Sequence, residues 1–186
     1  MFECFLTRIL QNKAMRKVSR PHVGKYIPLN AAHRIGFIVN AENPGSSQAV
    51  SIIEKELQNL NIEYHGICVD MRKKKSGESG ITPSPALCMI QRKDINWYGL
   101  PHENRISGFL QKPYDILIDL TQDKRIFAAD YILASTEASF RISISAINSS
   151  PCDMTVSSGD GPGTESPDIL LKNILIYLTT IHTDSK

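Results

Sequence analysis

The stretch Tyr114-Asp-Ile-Leu-Ile-Asp-Leu120 constrains the fold more than any other part of this chain. It is apolar, too short for an ordinary helix, and carries a carboxylate near its end. Runs of this kind are strands buried on both faces of a parallel sheet. A carboxylate in the last positions of such a strand emerges at the carboxyl edge, where α/β proteins hold their ligands. The stretch therefore predicts an α/β protein with a mainly parallel sheet. It also makes Asp119 the first candidate for a ligand contact.

The rest of the chain supplies the elements that such a sheet needs. Ile35-Gly-Phe-Ile-Val39 reads as a first strand. Val50, Ile53, Leu57 and Leu60 then fall at helical spacing, with Ser46 or Ser47 as the cap. Glu63 to Val69 reads as a second strand and Leu87 to Ile90 as a third. A short helix is expected at Ile106 to Leu110 and another at Ile126 to Thr136, with a strand at Phe140 to Ile144 and a last edge strand at Met154 to Val156. Ile169, Leu170, Ile174, Tyr177, Leu178 and Ile181 predict the buried face of a terminal helix, capped by Ser166. Alternating strands and helices imply a three-layer sandwich around a parallel, Rossmann-like sheet. Residues 34–186 are expected to form one domain, preceded by a basic helix and an extended linker in residues 1–33.

Charge is distributed unevenly. Residues 1–25 hold Arg8, Lys13, Arg16, Lys17, Arg20 and Lys25 against Glu3 alone, although the net charge of the whole chain is +2. That overall balance does not point to nucleic acid. On the N-terminal helix Phe2, Phe5, Leu6, Ile9 and Leu10 read as one apolar face. Such a helix packs on its own domain, pairs with a second subunit or lies on an anionic membrane surface. Cys4, Cys68, Cys88 and Cys152 show no metal-type spacing, and Cys68 and Cys88 are expected to be reduced and buried. No apolar run reaches about 18 residues, so no membrane span is expected. The expected location is cytoplasmic, with membrane-peripheral attachment through the N-terminal helix as an extension.

No assembled catalytic motif is present. Asp119 serves a ligand or holds a neighbouring loop. Asn96, Trp97 and Tyr98, in the aromatic turn Asp94-Ile-Asn-Trp-Tyr-Gly-Leu-Pro101, form a stacking platform for a planar ligand or anchor their loop on the sheet. Gly159, Gly161 and Gly163 precede a helix and would offer backbone N–H groups to an anion, or would serve as a flexible connector. This is neither a Walker loop nor a dinucleotide fingerprint, because Pro162 lacks a donor and no lysine follows. The five histidines show no ligand spacing, and no metal or cofactor is expected.

Lys93-Asp-Ile-Asn-Trp-Tyr-Gly-Leu-Pro101, Tyr114-Asp-Ile-Leu-Ile-Asp-Leu120 and Cys152-Asp-Met-Thr155 carry a resemblance. The chain resembles an uncharacterised family of short bacterial proteins, a domain of unknown function in which a basic N-terminal helix precedes an α/β domain. The resemblance implies that fold and no activity. Tyr114–Leu120 with Phe140-Arg-Ile-Ser143 is also similar to the N-terminal half of heptosyltransferase-type glycosyltransferases. The expected function is non-catalytic binding of a small molecule or protein partner. The rival is a nucleotide or nucleotide-sugar enzyme, with Asp119 and the Gly159–Gly163 loop in one crevice.

Overall fold

The run at 114–120 lies at the centre of a six-stranded sheet in the computed structural model, which describes residues 2–19, 21–73, 80–122, 126–144, 152–157 and 165–181. Helix α1 spans Phe2–Val18. Strand β1 (Arg34–Asn40) leads through α2 (Ser46–Asn59) to β2 (Glu63–Asp70) and β3 (Leu87–Gln91). Helix α3 (Glu103–Leu110) returns the chain to β4 (Tyr114–Leu120). Then follow α4 (Phe127–Ser135), β5 (Ala138–Ser143), the short β6 (Met154–Thr155) and α5 (Pro167–Thr180). The strand order is β3-β2-β1-β4-β5-β6 and every pairing is parallel. Sequence order reverses between β1 and β4, which sets Phe37 opposite Ile118 and Ile38 opposite Asp119. This is a Rossmann-like arrangement, as the spacing of apolar runs predicts.

Both faces of the sheet are covered, which is why the middle of β1 (residues 35–39) and of β4 (residues 116–118) can be apolar without alternation. Ile116, Ile118 and Leu120 enter a core shared with α2 and α5, while Leu117 enters one shared with α3 and α4. Helix α1 packs outside α4.

Three sequence expectations are corrected here. Neither Ser46 nor Ser47 caps α2: the N-cap is Gly45, and the Ser46 hydroxyl donates to Asn40 O at 2.7 Å instead. Ser166 stands at the α5 N-cap but makes no side-chain cap bond, because its hydroxyl donates to the Asp168 carboxylate. The buried stripe of α5 is Leu170, Leu171, Ile174 and Leu178, while Ile169, Tyr177 and Ile181 are exposed. Leu171 shares the sheet-facing side with Ile174 and Leu178, whereas Tyr177 lies on the turn between them and looks outward.

Residues 21–33 are bound to the sheet rather than spanning open space. Lys25 N donates to Ser139 O at 2.8 Å, and Tyr26 packs edge-on against Phe140 and donates from its hydroxyl to Ile181 O at 2.9 Å. Leu29 and Ala32 are buried in the core under α2 and α5. Gly24 lies flat on the Asp153 carboxylate, and a Cβ there would overlap it.

Cys68 is buried and free, and burial pushes its thiol up to about 12. Cys88 is only half-buried, contrary to expectation, since β3 is the edge strand of the sheet. The Cys4 side chain lies outside the described residues.

Candidate functional site

The carboxyl edge is where the fold first directs attention. Asp119 emerges there as expected, yet it is 2 % exposed and turned inward. Its Oδ1 accepts from Thr121 N at 2.9 Å and from the Thr121 hydroxyl at 2.5 Å, and its Oδ2 accepts from the Ser143 hydroxyl at 3.2 Å. The carboxylate thus ties the end of β4 to the end of β5. Asp115, four residues earlier, serves the opposite edge, where it accepts from His33 N and Arg34 N at 2.7 and 2.9 Å.

The N-terminus of α2, the position at which many sheets of this kind hold a phosphate, already has a carboxylate beside it. Gly45, the α2 N-cap, sits in the left-handed region at φ +82°, and a Cβ on it would lie 2.5 Å from Asp168 Oδ1. Asp168 is in the first turn of α5, so one acid faces the positive ends of two helices. Gln122 Nε2 donates to Glu165 O and ties the β4 loop to the same place. Gly159, Gly161 and Gly163 lie outside the described residues, as does Asp123. At β2, Arg72 pairs with Asp70 at 2.8 Å, and this hydrogen-bonded partner holds the Asp70 carboxyl below its usual range.

The aromatic turn divides in role. Asn96 Oδ1 accepts from Tyr98 N and Leu100 N at 3.2 and 3.0 Å, so the carboxamide closes its own loop. Gln11 Nε2 of α1 donates to Tyr98 O at 2.8 Å and fixes that loop to the N-terminal helix. Trp97 packs edge-on against Tyr98 and is otherwise turned out, 65 % exposed.

The same outward turn occurs on α1. Phe5, Leu6 and Ile9 are exposed, while Leu10, Ala14 and Val18 are partly covered. Sequence reading grouped Leu10 with Phe5 and Ile9 as one apolar face; the helix instead buries the opposite side and leaves the larger residues outside. Lys13, Arg16 and Lys17 continue the exposed stripe one and two turns later.

The amino edge carries two charged clusters that sequence reading missed. In the first, Arg34 pairs with Glu63 at 2.7 Å, and Lys112 Nζ lies 2.6 Å from His65 Nε2. Lys112 donates to Nε2, which leaves the proton on Nδ1, a buried atom without a partner. Burial, then the Lys112 charge, lowers the His65 pKa. The unfolded chain therefore takes up this proton more readily, and stability is expected to fall as pH drops below about 6.5 and to level off below the folded value. His65→Gln should flatten that part of a pH–melting curve; an unchanged curve would contradict the assignment.

The second cluster surrounds a cavity of about 410 Å³ between the end of α1, residues 21–23, the end of α4 and β5. Lys17, His22 and Arg141 line it, with Glu137 the only acid among the described lining residues. Arg141 is 8 % exposed, Nη2 donates to Thr136 O at 2.8 Å, and Nε has no partner. His22 Nε2 is bonded at 2.8 Å to Asp153 Oδ2, which also accepts from Arg141 N at 2.7 Å. The signal in the sequence was a lone arginine inside the apolar strand Phe140-Arg-Ile-Ser143, since arginine is seldom fully buried without a partner.

A parallel sheet with reversal between β1 and β4, and an N-terminal helix laid across α4, define a Rossmann-like α/β protein with an added basic arm. The model of a family of unknown function, DUF6913, matches residues 4–181, and the chain belongs to that family. Comparison with curated proteins and with solved structures finds no match. The likeness to heptosyltransferase-type glycosyltransferases is unsupported by these comparisons. No helix among the described residues is long and apolar enough to cross a membrane.

Proposed function

We propose that this chain is a non-catalytic binding protein whose N-terminal helix docks on an anionic membrane surface, the cytoplasmic leaflet being the one that carries such charge. The reading rests on the outward stripe of α1, where exposed Phe5, Leu6 and Ile9 are followed on the same side by exposed Lys13, Arg16 and Lys17. Exposed aromatic and aliphatic side chains enter the boundary between headgroups and acyl chains. Each basic residue near an anionic surface adds about 1 kcal/mol. Trp97 stands on the loop tied to this helix, and tryptophan favours the same boundary. A second copy of the chain is a poorer occupant, because an antiparallel two-fold contact would cover Lys13, Arg16 and Lys17 with the apolar Phe5, Leu6 and Ile9, and a parallel one would set the basic residues against each other.

Co-sedimentation with vesicles checks this. The chain is expected to pellet with phosphatidylserine-rich vesicles, not with phosphatidylcholine alone, and to be released by high salt. Phe5→Ser with Leu6→Ser and Ile9→Ser should weaken binding about tenfold or more, as should Lys13→Glu with Arg16→Glu. These positions are exposed, so melting temperatures should hold. Equal recovery on neutral and anionic vesicles, or unaltered binding by both variants, would sink the proposal.

A further inference from the structure

Arg141 is a buried cation with an incomplete set of partners. Of its five N–H donors, one is used by Thr136 O, and Nε–H faces none. The carboxylate nearest along the sheet, Asp153, acts on the guanidinium only at a distance, since its hydrogen bonds go to the Arg141 backbone N–H and His22, and Gly24 covers it. Among the described residues no acid pairs with the guanidinium. A buried charge left this way is costly in the empty fold and becomes favourable when an oxyanion reaches it. The cavity it lines, about 410 Å³, falls in the range of small-molecule sites. It is too large for a single inorganic anion and suited to an anion with a body attached.

The walls carry opposing groups, because the carboxyl ends of α1, α3 and α4 and the Glu137 side chain disfavour an anion, and the cations must outweigh them. Lys17 is exposed at the last turn of α1 and lines the cavity, so a second cation stands near its opening. His22 and Gly24 hold residues 21–25 across one side by way of Asp153. The α4 end contributes Thr136, whose carbonyl orients the guanidinium. Arginine's planar fork matches two oxygens of a phosphate group, and lysine adds a point charge.

We propose that this cavity binds a phosphate-bearing molecule, with Arg141 donating to the phosphate from within and Lys17 from the opening. The phosphate belongs either to a soluble metabolite or to a lipid headgroup. The site shares Lys17 with the outward stripe of α1, while Arg141, inside the fold, stands apart from that stripe. Burial holds Arg141 below the ordinary arginine value, and a bound anion would act in the reverse sense.

The test is calorimetric titration of the full chain with inorganic phosphate and with a water-soluble short-chain phosphatidate. Saturable binding of at least one probe is expected, weakened about tenfold or more in Arg141→Gln. Removing an unpaired buried charge should leave the melting temperature equal or higher. Lys17→Glu, at an exposed position, brings a carboxylate that competes for Arg141, and should weaken binding about as much. It carries the test on its own if Arg141→Gln does not fold. Tighter binding of phosphatidate identifies a lipid headgroup; equal binding identifies a soluble phosphate compound. Absence of saturable binding by the natural sequence, or identical binding by it and the folded variants, overturns the proposal.

Discussion

Asp119→Ala is expected to lower the unfolding free energy by about 3–5 kcal/mol. Among the described residues, Thr121 N, the Thr121 hydroxyl and the Ser143 hydroxyl donate to this carboxylate. Thr121 and Ser143 are themselves buried, so truncation removes a hydrogen-bond acceptor that both use where water does not readily replace it. For a chain of this size each kcal/mol moves the melting temperature by about 2–4 °C, so a fall on the order of 10 °C is expected. Asp119→Asn keeps an acceptor for Thr121 and should lose less. A side chain that served only a ligand would melt normally after truncation, and that outcome would return Asp119 to the list of binding residues.

Gly45→Ala is expected to cost about 2–4 kcal/mol, from two separable sources. A side chain at φ +82° is strained wherever it points. The added Cβ would also meet Asp168 Oδ1 at 2.5 Å and Ser166 Cβ at 2.9 Å, which forces α5 away from α2. Combining Gly45→Ala with Asp168→Ala separates the two. Relief of the overlap should make the double variant better than additive by about 1 kcal/mol in urea titrations, while the backbone strain remains. Strict additivity would mean that Asp168 does not press on the α2 N-terminus.

Much of the fold was legible because burial on both faces leaves an unmistakable pattern. Residues 116–118 and 35–39 are uninterrupted apolar runs for the simple reason that helices cover both sides of them. Helix α2 showed its period because one face alone is buried. The errors share a cause as well. On α1 and α5 the longest apolar runs are wider than the surface they cover, so periodicity could not say which of Phe5, Leu10, Leu171 or Tyr177 would be inside. Asp119 was placed at the correct edge, but its partners sit two and twenty-four residues away, and no local pattern announces them. Asn96 proved to close its own turn. Arg141 gave the faintest trace, one charge in an apolar strand, because its surroundings are assembled from α1, residues 21–23, the end of α4 and Asp153.

The binding of residues 21–33 has a consequence for the order in which the molecule is built. Gln11 is held by Tyr98, Lys25 by Ser139, His22 by Asp153 and Tyr26 by Ile181. Every one of these anchors is synthesised long after the residue it secures. Residues 22–26 therefore have nowhere to settle until β5, β6 and α5 exist, and contacts between parts of the chain so far apart slow folding. The first part of the arm to leave the ribosome is among the last to come to rest, and it locks the sheet from outside once the rest is in place.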